Sequence, residues 1–238
     1  KKVLVICGAT ATGKTALAVK CAKALDSEVV SADSQLIYRG LDIGTAKPTA
    51  EEMDGVIHHM IDIVDPQSSF SVSDYRERAL PVVDRLINKG KVPVICGGTG
   101  FYINSLLFDY SYGAAQGDEQ IRAKYNKIAE ERGKEYLFNL LKEADEPSSR
   151  KIHPNDTKRV IRALEIFELS GKRKSDLNDG QTPRYSYAAV ATDFPREDLY
   201  ARIDQRVDEM FANGLIDEVK SLIECGADEN CQRMQAIG

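Results

Sequence analysis

A short apolar run, VLVIC at residues 3–7, leads into GATATGKT at residues 8–15, which leads into ALAVKCAKAL at residues 16–25. This strand, glycine turn and helix confine the chain strongly, because Gly8, Gly13, Lys14 and Thr15 match G-x-x-x-x-G-K-[ST], a motif shared by ATP-binding proteins. Its glycines let the backbone curl until amide N–H groups face an anion. Lys14 adds positive charge, and the Thr15 hydroxyl is suited to ligate magnesium. A plain glycine turn is the alternative.

The residues downstream place a sheet around that loop. SEVVSAD, HHMIDIV and VPVIC read as further strands, and residues 15–25 and 74–88 as helices, the latter kinked or started late by Pro81. Such alternation implies an α/β fold, a parallel sheet flanked by helices on both faces. Between about 113 and 183 the pattern changes to two helical stretches, 119–144 and 156–169, with SDLNDGQTPR as an exposed loop. The strand-like SYAAVAT and helices at 196–212 and 215–224 close the chain. The expected layout is a core of residues 1–112 and 184–238, interrupted by a small helical insertion at 113–183.

With 238 residues, 42% hydrophobic and 29% charged, the composition is that of an ordinary globular protein. No apolar run approaches the roughly 18 residues that span a bilayer, and KKVLVIC is too short for a signal peptide's apolar region, so a cytoplasmic protein is expected. Five cysteines without C-x-x-C give neither a disulfide framework nor a zinc site. His58 and His59 are adjacent in a strand-like run and should face opposite ways, so both cannot chelate one ion. The net charge of −5 argues against a general nucleic-acid binder. It is uneven, however: residues 148–174 hold eight basic and three acidic residues, a local patch of the kind that touches a nucleic-acid backbone.

Other stretches carry both plain and chemical readings. VICGGTGFYINSL repeats the strand-to-helix turn, with Gly97, Gly98, Thr99 and Gly100 at a helix start; such turns are also common packing devices. Asp33 ends a strand and should project at the sheet edge where ligands bind, as turn cap, magnesium ligand or general base. VPVIC ends in glycine, without the carboxylate that an ATPase keeps there for magnesium, which disfavours a hydrolysis motor. Arg202 and Arg206, four apart in YARIDQRVDEM, share a helix face, either solvated beside Asp partners or clamping a diphosphate. Lys158, Arg159 and Arg162 cluster on one side of a helix whose other side carries Val160, Leu164 and Phe167, which suits a backbone contact or an amphipathic surface helix.

SADSQLIYRGLDIGTAKP at residues 31–48 is too particular for a generic turn. Together with GATATGKT, GGTGFYI, HPNDTKRVIRALEI and LYARIDQRVDEM, in this order, it resembles the tRNA dimethylallyltransferases, or tRNA isopentenyltransferases, over nearly the whole chain. The resemblance implies a P-loop NTPase-like core. It also implies transfer of a dimethylallyl group from dimethylallyl diphosphate to the exocyclic amine of the adenosine just 3′ of the anticodon, with diphosphate leaving. Gly8, Ala9, Thr10, Ala11, Thr12, Gly13, Lys14 and Thr15 then form the diphosphate site, with Thr15 facing Mg2+, and one of Arg202 and Arg206 assists. Ala9 stands where family loops usually have Pro. Asp33 corresponds to the base, and Ser34, Gln35 and Leu36 lie beside it with groups that hold the target nucleotide. Lys14 and Thr99 complete the catalytic set, Thr99 also meeting the adenosine. Arg122 and the segment Lys158, Arg159, Val160, Ile161 and Arg162 fall where the family contacts the tRNA anticodon stem-loop. A monomer away from the membrane is expected. An adenylate isopentenyltransferase, a P-loop small-molecule kinase and a nucleotide-switched RNA-binding module are the rivals.

Overall fold

The computed structural model describes residues 1–110, 117–177 and 179–226. β1 (Lys2–Gly8), β2 (Val29–Ser31), β3 (His58–His59), β4 (Val94–Gly97) and β7 (Ser186–Thr192) form one sheet in the order β3-β2-β4-β1-β7, with every pair parallel. The period-two alternation of β1 decides which helices cover which face. Val3 and Val5 join a core with Tyr75, Ala79, Val83 and Leu86 of α3 (Val72–Asn88) and Tyr102, Ile103 and Leu106 of α4 (Gly100–Leu107). Ile6 packs the opposite way, with Ala18 and Ala22 of α1 (Lys14–Ala24). The C-terminal ends of β1, β2 and β4 therefore open side by side at one edge of the sheet.

The chain divides into two compact units, Lys1–Phe108 with Pro183–Gly238, and Asp109–Thr182. The second contains α5 (Glu119–Arg132), α6 (Lys134–Ala144), α7 (Glu146–Ser149) and α8 (Thr157–Ser170) around Leu137, Phe138, Leu141, Val160, Ile161 and Leu164. Returning to the first unit, α9 (Arg196–Ala212) and α10 (Leu215–Glu224) follow β7.

Several elements depart from the sequence reading, each for a local reason. The single helix expected over 119–144 is two, because Gly133 adopts φ 87 between α5 and α6, a conformation that glycine enters without a side-chain clash. α3 begins at Val72, before rather than after Asp74: Ser71 and Asp74 form a reciprocal capping box, and the helix continues through Pro81. HHMIDIV yields only two strand residues, since Met60 and Asp62 turn to φ 65 and 55. Within the expected loop SDLNDGQTPR lies β6 (Asp179–Pro183), paired with β5 (Phe108–Tyr110); ladder hydrogen bonds made it a strand without an apolar pattern. Phe167, expected on the apolar side of α8, is 38% exposed. Among the described residues no helix is long and apolar enough to cross a membrane.

Candidate functional site

The loop after β1 winds tightly around its own oxygens. Thr12 Oγ1 donates to Ala9 O at 2.8 Å, and the Lys14 ammonium donates to the same carbonyl. Ala11 holds φ 59, a left-handed conformation that costs a residue with a Cβ roughly 1–2 kcal/mol. Its carbonyl accepts from Arg202 Nε at 2.8 Å, while Arg206 donates through Nη1 to Thr10 Oγ1 at 3.1 Å and through Nη2 to Thr45 O at 3.2 Å. Arg202 also lies over the Phe194 ring, 4.8 Å from its centroid. Both arginines thus donate to the loop. Burial holds the Lys14 amine below its ordinary pKa, with Cys96 and Asp33 pulling the other way. Burial likewise lowers Arg206, against the pull of Asp33. Lys14, Arg202 and Arg206 thus bring three positive charges to one curled loop, a combination suited to a cradle for an anion.

Beside it, Asp33 lies two residues past the end of β2. Its Oδ1 accepts from the Gln35 amide at 2.8 Å and the Leu36 amide at 3.4 Å, so the turn-capping role is real. Oδ2 has no hydrogen-bond partner among the described residues. Gln35 Oε1 is buried with no hydrogen-bond partner. Thr99 Oγ1 accepts from the Ser34 amide at 3.0 Å and meets Ser34 Oγ at 3.3 Å, which stitches the loop after β4 to the loop after β2. That proximity explains Gly97: a Cβ there would stand 2.1 Å from Ala32 O. Gly98 and Gly100 lie in the same turn, Gly100 as the first residue of α4 with Thr99 as N-cap. Behind these loops the buried Tyr75 donates to Ser31 O at 2.8 Å and stacks on Tyr102 at 4.0 Å, and burial pushes both phenols well above their ordinary pKa.

Thr15, the second residue of α1, offers a hydroxyl without a hydrogen-bond partner among the described residues. A hard oxygen donor of this kind would suit a magnesium ion.

Sequence reasoning missed Thr192 and Thr45. Thr192 ends β7 opposite Gly8; its Oγ1 lies 2.6 Å from Thr12 Oγ1 and donates to Cys7 O at 3.2 Å. A polar residue closing an apolar strand was the available signal, but only the strand order puts β7 beside β1.

The insertion is organised around a carboxylate that sequence reasoning passed over. Glu165 is fully buried and accepts from the Asp118 amide at 2.7 Å, Arg122 Nε at 2.8 Å and Arg162 Nη1 at 2.5 Å. Burial raises its pKa, but the hydrogen bonds from Arg162, the Asp118 amide and Arg122 outweigh that and hold it below the ordinary carboxylate value. Val160 and Ile161, expected at the tRNA, are 1% and 5% exposed; their side chains form the unit's core, because the apolar face of α8 turns inward. Lys158 and Arg159 are exposed, Arg159 meeting Asp156 at 3.3 Å.

Comparison with known proteins gives consistent results. A family model described as IPP transferase matches residues 36–238. The tRNA dimethylallyltransferase of Oceanobacillus iheyensis is 44% identical over 99% of this chain and 76% of its own length, and that of Bacillus licheniformis is 48% identical over 99% and 76%. Among solved structures, the full-length tRNA isopentenylpyrophosphate transferase of Bacillus halodurans aligns with TM-score 0.69 at 43% identity, covering 100% of this chain and 74% of that one. A eukaryotic dimethylallyltransferase captured acting on tRNA aligns with TM-score 0.82 at 28% identity over 99% and 59%.

Proposed function

The chain belongs to the IPP transferase family and transfers a dimethylallyl group to tRNA, and we propose that dimethylallyl diphosphate is the donor and the exocyclic amine of the adenosine 3′ to the anticodon the acceptor. The observation that carries the donor side is the convergence of Lys14, Arg202 and Arg206 on the loop oxygens of residues 9–11.

An aromatic amine is a weak nucleophile, so its partner must be strongly electrophilic. An allylic diphosphate becomes so as its C–O bond loosens, positive charge spreads over the allyl unit and negative charge collects on the leaving diphosphate. Loop amides, Lys14 and the two guanidinium groups are already assembled where that charge develops, and preorganised stabilisation of this sort supplies most of the rate. Thr15 would hold a magnesium ion, which when bound would neutralise charge on the diphosphate. As the new C–N bond forms, Asp33 Oδ2 takes the amine proton, while Oδ1 stays engaged with the Gln35 and Leu36 amides, which fix the carboxylate in place. The buried Gln35 Oε1 is an acceptor suited to a nucleobase N–H.

The adenosine must leave its stack to react, at a cost of a few kcal/mol, which a single-stranded loop tolerates better than a duplex. Lys158 and Arg159 would position the tRNA backbone rather than read its sequence. Incubation with labelled dimethylallyl diphosphate and unmodified tRNA, beside AMP and ATP controls, tests the reading. Label should enter tRNA with diphosphate released; label entering AMP, or phosphate moving from ATP, would overturn it.

A further inference from the structure

The loop at residues 41–47, on the path between β2 and β3, is held from both sides. Inside, the Lys47 ammonium, with a side chain only 6% exposed, donates to Tyr38 O at 3.0 Å and to Asp42 Oδ1 and Asp62 Oδ1 at 2.5 Å each. Outside, Glu218 of α10 takes three consecutive backbone amides. Its Oε2 accepts from Asp42 N and Ile43 N at 2.8 Å each, and its Oε1 accepts from Gly44 N at 2.9 Å. Successive amides that converge on one carboxylate form a nest, an arrangement that fixes the loop backbone and the carboxylate together. A Cβ at Gly44 would stand in ordinary contact with Glu218 Oε1 at 3.5 Å and in tight contact with Leu215 Cδ1 at 3.2 Å, so the loop packs closely on α10 here.

Immediately after this nest comes Thr45. Its hydroxyl donates back to Leu41 O at 2.6 Å, and its carbonyl accepts Arg206 Nη2 at 3.2 Å. The other terminal nitrogen of the same guanidinium meets Thr10 Oγ1 in the anion cradle at 3.1 Å. A planar guanidinium held at two nitrogens has a fixed orientation, which a single contact would leave free to rotate. Both contacts are needed, and one depends on where the 41–47 loop sits.

We propose that Glu218 is a positioning residue for diphosphate: by clamping the amides of Asp42, Ile43 and Gly44 it fixes the Thr45 carbonyl, which aims Arg206 at the cradle. The proposal rests on the diphosphate reading of that cradle. Glu218 touches neither substrate nor reacting atoms; it acts through Arg206.

A double-mutant cycle on the intact chain separates this from ordinary structural support, with inorganic pyrophosphate as the calorimetric probe. Glu218→Ala should weaken pyrophosphate binding on the order of tenfold, within what a small misplacement of a binding group costs. In an Arg206→Ala background the same change should cost nothing further, because residues acting in one network are not additive. Glu218→Gln, which keeps one carbonyl acceptor for part of the nest, should fall between wild type and Glu218→Ala, and it provides the readout if the alanine variant folds poorly. The Arg206 guanidinium nitrogen resonances should shift in Glu218→Ala. Unchanged resonances and affinity, or fully additive losses in the cycle, overturn the proposal while leaving the cradle intact. A wild-type protein that ignores pyrophosphate overturns the diphosphate reading, and the proposal with it.

Discussion

At the loop after β1, Lys14, Arg202 and Arg206 each donate to an oxygen of that loop, whereas on α8 Lys158 stands exposed and Arg159 meets only Asp156, with its side chain 66% exposed. In the core unit Lys14 and Arg206 are partly buried, and all three cations, the exposed Arg202 included, are tied to a backbone carbonyl. The insertion carries positive charge on a solvated helix face. Fixed, partly desolvated charge suits stabilisation of charge that develops at one place, and solvated charge suits loose attraction of a polyanion. Within the insertion Arg122 and Arg162 are held by the fully buried Glu165 carboxylate.

The largest test of this contrast lies at the core. Asp33→Ala should lower kcat for prenyl transfer roughly 10²- to 10⁴-fold, the usual range for a general base, with tRNA affinity retained in filter binding. Loss of tRNA binding with unchanged turnover would move Asp33 out of the chemistry. Next, Lys14→Ala should weaken pyrophosphate binding roughly 10²- to 10³-fold, comparable to removing one preorganised donor. The sign of its pH dependence is set by the lowered amine pKa. A bound diphosphate favours the protonated amine, so affinity should be greatest below the Lys14 pKa of the free protein and should fall as pH rises through it. Lys14→Arg, which stays charged, should remove that decline in calorimetry across pH.

A smaller effect is expected in the insertion. Glu165→Gln removes the charged acceptor that Arg122 and Arg162 share and should cost about 1–3 kcal/mol in urea unfolding of the intact chain. Because its folded pKa is lowered, the stability Glu165 contributes is present above the unfolded glutamate value and is lost as pH falls through the folded one. Glu165→Gln should therefore flatten the acid limb of the stability profile. The smallest change is expected from the solvated face. Lys158→Ala with Arg159→Ala should raise the KM for tRNA severalfold and reduce the salt slope of binding by about two, one for each phosphate no longer neutralised. A salt slope left unchanged would remove this face from the tRNA interface and with it the contrast.

Legibility in the sequence tracked how local each feature is. The Gly8 to Thr15 loop, the turn at Asp33 and the helix start at Thr99 were readable, because each is set by a few neighbouring residues and their backbone needs. The fully buried Glu165 was not: a glutamate in a helix between Leu164 and Ile166 reads as solvent-facing until Arg122, forty-three residues earlier, is known to approach it. Along the neighbouring run the apolar face of α8 was legible at Val160 from the helical period, but that Ile161 joins it in the core, while Lys158 and Arg159 stay exposed, emerges only once α8 is packed.

From residue order alone came most of the elements, the glycine-rich loop after β1, the acidic group beside it and the family the chain resembles. All of these rest on short-range geometry, on the 3.6 and 2.0 residue periods and on backbone turns. Folding decided what meets across long separations: that both Arg202 and Arg206 reach the loop almost two hundred residues earlier, that Thr192 lies against Gly8, and that Glu218 closes on the Asp42, Ile43 and Gly44 amides. Such meetings depend on strand order and on how helices pack over the sheet, and no single stretch of sequence encodes either.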